Sequence, residues 1–95
     1  MTLYALICND KPGSLDLRMA TREAHLAYAR GFADKMRLGG PMLTEAGEMA
    51  GSLIFLEVDT LAEAKAFSDS DPYAIAGLFE NVQITPFRVT IGKLG

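Results

Sequence analysis

Two short segments of the chain are apolar at almost every position. Leu3–Cys8 reads LYALIC, and Ser52–Val58 reads SLIFLEV. A strand with one face in water alternates apolar and polar residues, whereas a strand that is covered on both faces reads as a continuous apolar run. The pattern therefore predicts two strands that are covered on both faces.

Two helices are predicted from the signals at their starts. The polar cluster Asn9–Ser14 contains Pro and Gly, so it ends the first strand and precedes a long helix predicted over Leu15–Met36. Thr60 and Glu63 have the spacing of a capping box, in which each side chain satisfies an N–H group of the first turn. This spacing predicts a second helix that continues to about Ser68.

Two further strands are predicted with less regular patterns. Arg37–Leu43 is predicted as a strand in which Gly39–Pro41 either bends the backbone or lets it approach a ligand, and Thr44–Gly51 as a polar loop. Asn81–Ile91 is predicted as the last strand. Its apolar alternation changes phase at Thr85–Pro86, which predicts a β-bulge on an edge or exposed segment.

The order of these elements is β-α-β-β-α-β, which predicts an α+β ferredoxin-like sandwich with a four-stranded antiparallel sheet. Two helices cover only one face of such a sheet, so the second face of the doubly apolar strands needs another cover. A second copy of the chain, in a symmetric homodimer, is the simplest cover. The alternative is that the loop Thr44–Gly51 shields part of this face.

The predicted long helix has one unusual face. Each residue turns a helix by about 100°, so residues three, four or seven apart share a face. A charged side chain that faces a core is costly unless it is paired or lies in a cavity. On the unusual face a stripe of side chains is cationic in its first half and apolar in its second, and it contains Arg18, Arg22, His25, Ala29, Phe32 and Met36. This stripe predicts either arginines that reach water beyond the sheet or arginines that line a cavity.

His25 and Asp71 are the candidates for acid/base chemistry. Asp71 has the position of a cap for a short helix, and His25 is the single histidine, which is equally compatible with a hydrogen-bonded core residue. In the predicted fold the Asp71 carboxylate could reach His25, fix its tautomer and leave the other ring nitrogen free to move protons. Arg18 and Arg22 would then bind an anionic or enolate-like oxygen. Tyr73 is either a phenolic donor or an aromatic that packs the short helix.

Composition and charge narrow the possible partners. The chain has 95 residues, of which 49% are hydrophobic and 22% charged, which predicts one globular domain over residues 1–95. The chain has a net charge of -3 and lacks the clustered Lys and Arg that nucleic-acid binding requires. Cys8 is the one cysteine, so we expect a buried, inert thiol in a reducing, cytoplasmic protein. The first apolar run is too short for a signal peptide or a membrane span.

The residue types and their spacing in the sequence give little support for a metal site or a cofactor site. One histidine and one cysteine do not make a zinc site, and the carboxylates lack the spacing of a calcium loop. Gly39–Pro41 lacks the Lys and the helix that follow a phosphate-binding loop. We therefore expect no metal and no cofactor.

Several motifs together resemble the YciI-like (YCII-related) family of small bacterial proteins. The resemblance covers nearly the whole chain and implies a ferredoxin-like fold of the dimeric α/β-barrel group, with His25 and Asp71 as an active-site pair and Arg18 and Arg22 beside it. It also implies a range of activities that includes dehydrochlorination of hydroxylated aromatics. The chain departs from the family at Glu23, where relatives often have Pro. The motifs are LYALICND, Arg18-x-x-x-Arg22-x-x-His25-Leu26, GGPM, Gly51-Ser52 and Asp71-Pro72-Tyr73 with Ala76-Gly77.

Three hypotheses for function follow. The first is a homodimeric enzyme of lyase or isomerase type that acts on a small anionic or aromatic metabolite through His25 and Asp71, with Arg18, Arg22 and Tyr73 binding the substrate. The second is a domain that binds such a metabolite without converting it. The third is a structural dimerisation module. Catalysis requires a histidine open to a pocket, binding requires mainly the arginines, and a structural module requires neither.

Overall fold

The structure is a computed structural model, and it describes residues 1–94. A four-stranded sheet carries two main helices and one short helix, in the order β-α-β-β-α-α-β. The elements are β1 (Thr2–Asp10), α1 (Leu15–Arg30), β2 (Met36–Leu43), β3 (Met49–Val58), α2 (Leu61–Ser70), α3 (Pro72–Ile75) and β4 (Phe79–Phe87).

The strands are arranged in the order β2-β3-β1-β4, and every neighbouring pair is antiparallel. In the centre of the sheet Leu6 lies opposite Ile54 on one side and Ile84 on the other. The two doubly apolar segments of the sequence are β1 and β3, which are the two central strands. The predicted α+β ferredoxin-like fold is confirmed.

The long helix ends earlier than the sequence pattern predicts. α1 stops at Arg30 rather than Met36, and residues 31–35 form turns. Gly31 is a poor helix residue, and Met36 is taken up by the sheet, where it pairs with Leu56 of β3. The Lys35 carbonyl also accepts a hydrogen bond from the Glu57 amide, which ties the turn to the sheet. Strand pairing therefore overrides a helical pattern at this point.

The ends of two strands also differ from the prediction. β3 begins at Met49 rather than Ser52, so the loop predicted over Thr44–Gly51 is a shorter hairpin loop of five residues, 44–48, all of them exposed. The Thr44 amide donates to the Glu48 carbonyl to close this hairpin. Gly47 has a φ of 89°, a value that favours glycine.

The last strand, β4, is Phe79–Phe87 rather than Asn81–Ile91, so the apolar residues after Phe87 lie outside the sheet. The predicted bulge at Thr85–Pro86 is wrong, because this segment pairs in unbroken register with β1. The irregularity lies at the start of β4, where Asp10 pairs with Phe79 and Asn9 with Asn81. Pro86 does lie on an edge strand, where its missing N–H costs no ladder bond.

The core lies between the sheet and the helices. Alternate residues of the two central strands point into it, and Ala64 and Phe67 of α2 pack over them. Tyr28 of α1 and Phe32 of the turns after it pack against the Phe67 ring, and the Tyr28 hydroxyl donates to the Phe67 carbonyl at 2.8 Å. The C-terminal half of α1 is therefore anchored, as the apolar half of its stripe predicts. The buried strand residues are Tyr4, Leu6 and Cys8 of β1 and Ile54, Leu56 and Val58 of β3.

The other residues of the central strands point to the opposite face of the sheet. Leu3, Ile7, Leu53 and Phe55 alternate with the core residues, so no helix lies over them. The Phe55 ring packs against Phe87 of β4 with centroids 5.2 Å apart. This sheet face, defined by these five residues, is called the open face below.

In residues 1–94 every helix is too short or too polar to cross a lipid bilayer.

The buried position of Cys8 leads to a test of the core. Burial, and then the negative charge of Asp71, raise the pKa of the thiol to about 12. We expect no reaction with an aromatic disulfide reagent at mildly alkaline pH in the folded protein, and complete reaction in urea. In the control variant Thr44→Cys the added, exposed thiol should react at once. Rapid reaction of Cys8 in the folded wild type would contradict its burial.

Candidate functional site

The first half of α1 lies over a cavity instead of the packed core. Arg18, Arg22 and His25 follow one another at spacings of four and three residues, so they share the face of α1 that lines this cavity. Pro41 of β2 and Ser52 of β3 line the opposite wall. The sequence left two interpretations of the cationic stripe, arginines that reach water and arginines that line a cavity. In the structure the arginines line a cavity.

His25 and Asp71 are hydrogen-bonded partners. The Nδ1 atom of the imidazole lies 2.9 Å from Oδ1 and 3.1 Å from Oδ2 of the carboxylate. The His25 side chain is 13% exposed and that of Asp71 only 3%. A carboxylate accepts at Nδ1, which places the proton of a neutral imidazole on that atom and leaves Nε2 as the basic nitrogen. No residue from 1 to 94 forms a hydrogen bond with Nε2.

Asp71 also has the local role that its position in the sequence predicts. It follows the last residue of α2 and caps α3, where its Oδ1 accepts a hydrogen bond from the Tyr73 amide at 2.9 Å. Pro72 occupies the first position of α3, where no N–H is needed. The carboxylate thus caps a helix and holds the His25 ring at the same time. The interpretation of Asp71 as a helix cap and its interpretation as the partner of His25 are therefore compatible.

Tyr73 lies between the two ends of the stripe. Its ring stacks on that of His25, with centroids 4.1 Å apart and planes inclined by 16°, and the Arg18 guanidinium lies over it at 4.5 Å. Because Arg18 and His25 are two turns apart, the Tyr73 ring fills the space between them. Burial raises the pKa of the phenol, and Arg18 and Arg22 oppose that rise. The phenol is therefore protonated at neutral pH.

Arg18 is held by Asp10 and Ser52, for which the sequence predicted no role at the site. Its Nε and Nη2 atoms donate to the two carboxylate oxygens of Asp10 at 2.7 and 2.9 Å, and Nη2 also donates to the Ser52 hydroxyl at 2.8 Å. Arg18 is 2% exposed. Burial alone would lower its pKa, but the hydrogen bond and charge of Asp10 outweigh burial, so the pKa is raised. The guanidinium is charged, rigid and neutralised by Asp10.

Arg22 differs from Arg18 in its surroundings. It lines the same cavity, but it is exposed and forms no ion pair within residues 1–94. Its positive charge is therefore available to an anionic ligand. Asp10 ends β1, and a loop of four residues separates it from the helix that carries both arginines. This position is the sequence signal for the division of roles.

The cavity has a volume of about 390 Å³, which is the size of a site for a small organic molecule. Its lining contains the three arginines Arg18, Arg22 and Arg30 together with His25, and no carboxylate among the described residues. Residues 1–94 contain no group of three or more His, Cys, Asp or Glu side chains that could hold a metal ion. The arrangement can bind an anion and move a proton at Nε2.

The model of the YCII-related domain matches residues 2–88 of the chain. The chain belongs to the YCII-related family. Among curated relatives, Protein YciI of Escherichia coli O6:H1 is 37% identical over 94 residues, covering 90% of this chain and 96% of YciI. An uncharacterized protein of Haemophilus influenzae is 33% identical, with 90% and 95% of the two chains covered.

Solved structures extend this picture of the YCII-related family. The 5-chloro-2-hydroxyhydroquinone dehydrochlorinase TftG of Burkholderia phenoliruptrix AC1100, in complex with 2,5-dihydroxybenzoquinone, is 33% identical and superposes with a TM-score of 0.85. The match covers 90% of this chain and 93% of TftG. An antibiotic biosynthesis monooxygenase at 7% identity, with a TM-score of 0.59 and coverage of 96% and 100%, shares the fold alone.

The buried ion pair generates a prediction about stability. Asp10→Asn keeps the shape of the side chain but leaves the Arg18 charge buried without its partner, so we expect the free energy of unfolding to fall by about 3 kcal/mol. Asp69 is the matched control, because it pairs with Lys65 where both side chains are more than 60% exposed. Asp69→Asn should change the stability by less than about 0.5 kcal/mol in urea denaturation. Equal effects of the two substitutions would show that the Arg18 charge is not buried in solution.

Proposed function

We propose that this single-domain protein is a homodimeric enzyme that uses His25 as a general acid/base on a small, oxygenated, anionic ring compound. The observation that carries the proposal is the contact of His25 Nδ1 with both oxygens of Asp71, at the wall of a cavity that residues 1–94 line with cationic side chains and without a carboxylate. Asp71 orients the imidazole, and Nε2 exchanges protons with the substrate. The buried, reduced Cys8 agrees with a cytoplasmic location.

The cations and the phenol would stabilise the charge that develops on the substrate. Arg22 has a free positive charge, and the rigid Arg18 guanidinium adds a fixed positive field. Preorganised charges of this kind favour a phenolate or enolate over its neutral form, because they require no rearrangement during the reaction. Tyr73 adds a donor beside the imidazole ring. The site suits the formation of an anionic oxygen next to a proton acceptor.

Similarity to TftG suggests the elimination of HCl from a chlorinated hydroxyhydroquinone as a reaction of this type. A hydroxyl proton is first moved to the chlorine-bearing ring carbon, which becomes tetrahedral. Removal of a proton from a second hydroxyl then pushes an electron pair through the ring and expels chloride, leaving a hydroxyquinone. The balance is one HCl lost, with no oxidant or reductant. His25 takes the first hydroxyl proton as a base and delivers it to the ring carbon as an acid. It then takes the second hydroxyl proton as a base and releases it to solvent, so that this proton and the chloride make up the HCl lost.

This proposal is tested by turnover of 5-chloro-2-hydroxyhydroquinone and related hydroxylated chloroaromatics, followed by chloride release. We expect His25→Ala to lower kcat by about 10²- to 10⁴-fold, the usual contribution of a positioned acid/base. Asp71→Asn retains the helix cap but reverses the hydrogen bond to Nδ1, so kcat should fall while the fold persists. Asp69→Asn, in the last turn of α2, is the control and should match the wild type.

A negative result separates the enzyme from the binding hypothesis. Binding of 2,5-dihydroxybenzoquinone by wild type and His25→Ala with equal affinity, without turnover of any compound in the panel, would overturn the enzyme proposal in favour of a binding domain. Loss of binding in Arg22→Ala would support the binding domain further. Absence of both binding and turnover in the wild type would favour the structural module.

The open face is the proposed dimer interface. Leu53 and Phe55 in its centre are covered by no helix, and Phe87 at its edge is 46% exposed. Apolar faces of this extent on small proteins are usually covered by a partner, and two-fold symmetry lets one face cover its own copy.

A charged residue in this face should dissociate the dimer. We expect Leu53→Glu to be monomeric in sedimentation velocity, because it buries a carboxylate without a partner in the interface. Leu61→Glu is the matched control, since Leu61 is exposed on α2, away from the open face, and should leave the dimer intact. A wild type that sediments as a monomer would overturn the proposed dimer.

A further inference from the structure

The cavity beside His25 has two ends of different chemistry. Where Ser52 of β3 pairs with Pro41 of β2, the first half of α1 brings the polar side chains Arg18, Arg22 and His25 to the cavity. Further along, the lining is apolar except for the exposed residue Arg30 of α1. The apolar end is lined by Leu26, Ala29, Ala33, Met36, Gly39 and Ile54.

The apolar end extends well past the imidazole. Ile54 and Gly39 form the pair two residues along the strands from Ser52, a distance of about 7 Å. On the other wall, Ala29 follows His25 by one turn of α1, about 6 Å along the axis, and Ala33 lies beyond it in the turns that follow the helix. A single six-membered ring held at His25 would leave this end of the cavity unfilled.

Gly39 is the residue that keeps this space open. A Cβ atom at Gly39 would lie 3.1 Å from the Met36 sulfur and 3.6 Å from Cγ1 of Ile54, so it would occupy the apolar end. The backbone does not require glycine here, because the φ of Gly39 is not positive. Glycine in the interior of a strand costs stability relative to alanine. The missing side chain therefore has a spatial reason, which is the volume of the cavity.

We propose that the apolar end is a second subsite, which receives an apolar substituent on the anionic ligand, with Gly39 and Met36 as the residues that determine its length. The ligand class is a monoanionic ring compound with an alkyl chain of a few carbons opposite its acidic group. The inference rests on the proposed function only for the position of the acidic group at the arginines. Met36 is a suitable end wall, because its flexible thioether adapts to chains of different length.

A series of 4-alkylbenzoates tests the subsite without requiring turnover. Benzoate and its 4-methyl, 4-ethyl and 4-propyl derivatives share one charge and one ring, so calorimetric Kd values report the alkyl chain. Burial of each added carbon should tighten binding by about threefold, which gives a benzoate to propylbenzoate Kd ratio of about 30 in the wild type. A ratio near 1 in the wild type would overturn the subsite.

Two substitutions should change this ratio in opposite directions. In Gly39→Ala the added methyl group fills the subsite, so the ratio should fall below about 3. In Met36→Ala the end wall recedes, so the tightest binding should move to a longer chain such as 4-pentyl. An unchanged ratio in Gly39→Ala overturns the proposal. If that variant does not fold, an unchanged optimum in Met36→Ala overturns it instead.

Gly40→Ala is the matched control. The Gly40 backbone also lines the cavity, but Gly40 pairs with Leu53, whose side chain points to the open face, and a Cβ at Gly40 would meet no atom within 4 Å. The same methyl group is thus added on the other side of the sheet. The benzoate to propylbenzoate Kd ratio should therefore stay near 30. Sedimentation checks that this variant remains a dimer. A fall equal to that of Gly39→Ala would overturn the subsite, because it would show an effect of the strand and not of the cavity.

The two proposals fail in different ways. Graded binding of the alkylbenzoates without turnover of any hydroxylated chloroaromatic would leave the subsite standing and remove the enzyme. Turnover of a hydroxylated chloroaromatic, with equal Kd values for all the alkylbenzoates, would support the enzyme and overturn the subsite. If no benzoate binds while 2,5-dihydroxybenzoquinone does, the subsite with a carboxylate-headed ligand is overturned and the proposed function is retained.

Discussion

The hydrogen bond between Asp71 and His25 joins the two helical parts of the molecule at the point where its chemistry is expected. α1 and α3 come from distant parts of the chain, and the carboxylate at the start of α3 joins them together with the stacked Tyr73 ring. Its position is fixed from its own side by the Tyr73 amide, so the imidazole is oriented by backbone and not by a free side chain. A side chain that a backbone N–H group holds at the start of a helix is more rigid than a long, flexible side chain.

The electrostatic balance around this bond explains how a cationic stripe can face inward. Asp10 neutralises Arg18, so the buried guanidinium of the stripe carries no unpaired charge. Arg22 remains, and its exposed position keeps the desolvation cost small. Anion binding is therefore concentrated in one residue at the rim, while the buried guanidinium acts as a fixed part of the scaffold. Two arginines four residues apart have different physical roles.

Much of the fold and part of the site can be predicted from the sequence, because they depend on local signals. The doubly apolar runs indicate the central strands, and Asp71 is recognisable as a cap before Pro72. The grouping of His25 with Arg18 follows from helical spacing alone. These features need no knowledge of which side chains meet across the sheet.

The remaining features depend on contacts between distant segments, which a single sequence does not contain. Asp10 and Ser52 join the site only because the Arg18 side chain turns inward between β1 and β3. α1 ends at Arg30 because Met36 is needed for pairing with Leu56. The space left by Gly39 likewise becomes visible only when the opposite wall of the cavity is known.

The double role of Asp71 has a consequence for how related sequences change over time. A lineage that no longer needs the chemistry can replace His25 at little cost to folding, whereas the same lineage still needs a carboxylate or a similar acceptor to begin α3. The Asp-Pro-Tyr sequence would then outlast the activity. Within such a group the identity of the residue at the histidine position, and not the aspartate, separates chains that retain a reaction from those that retain only the fold.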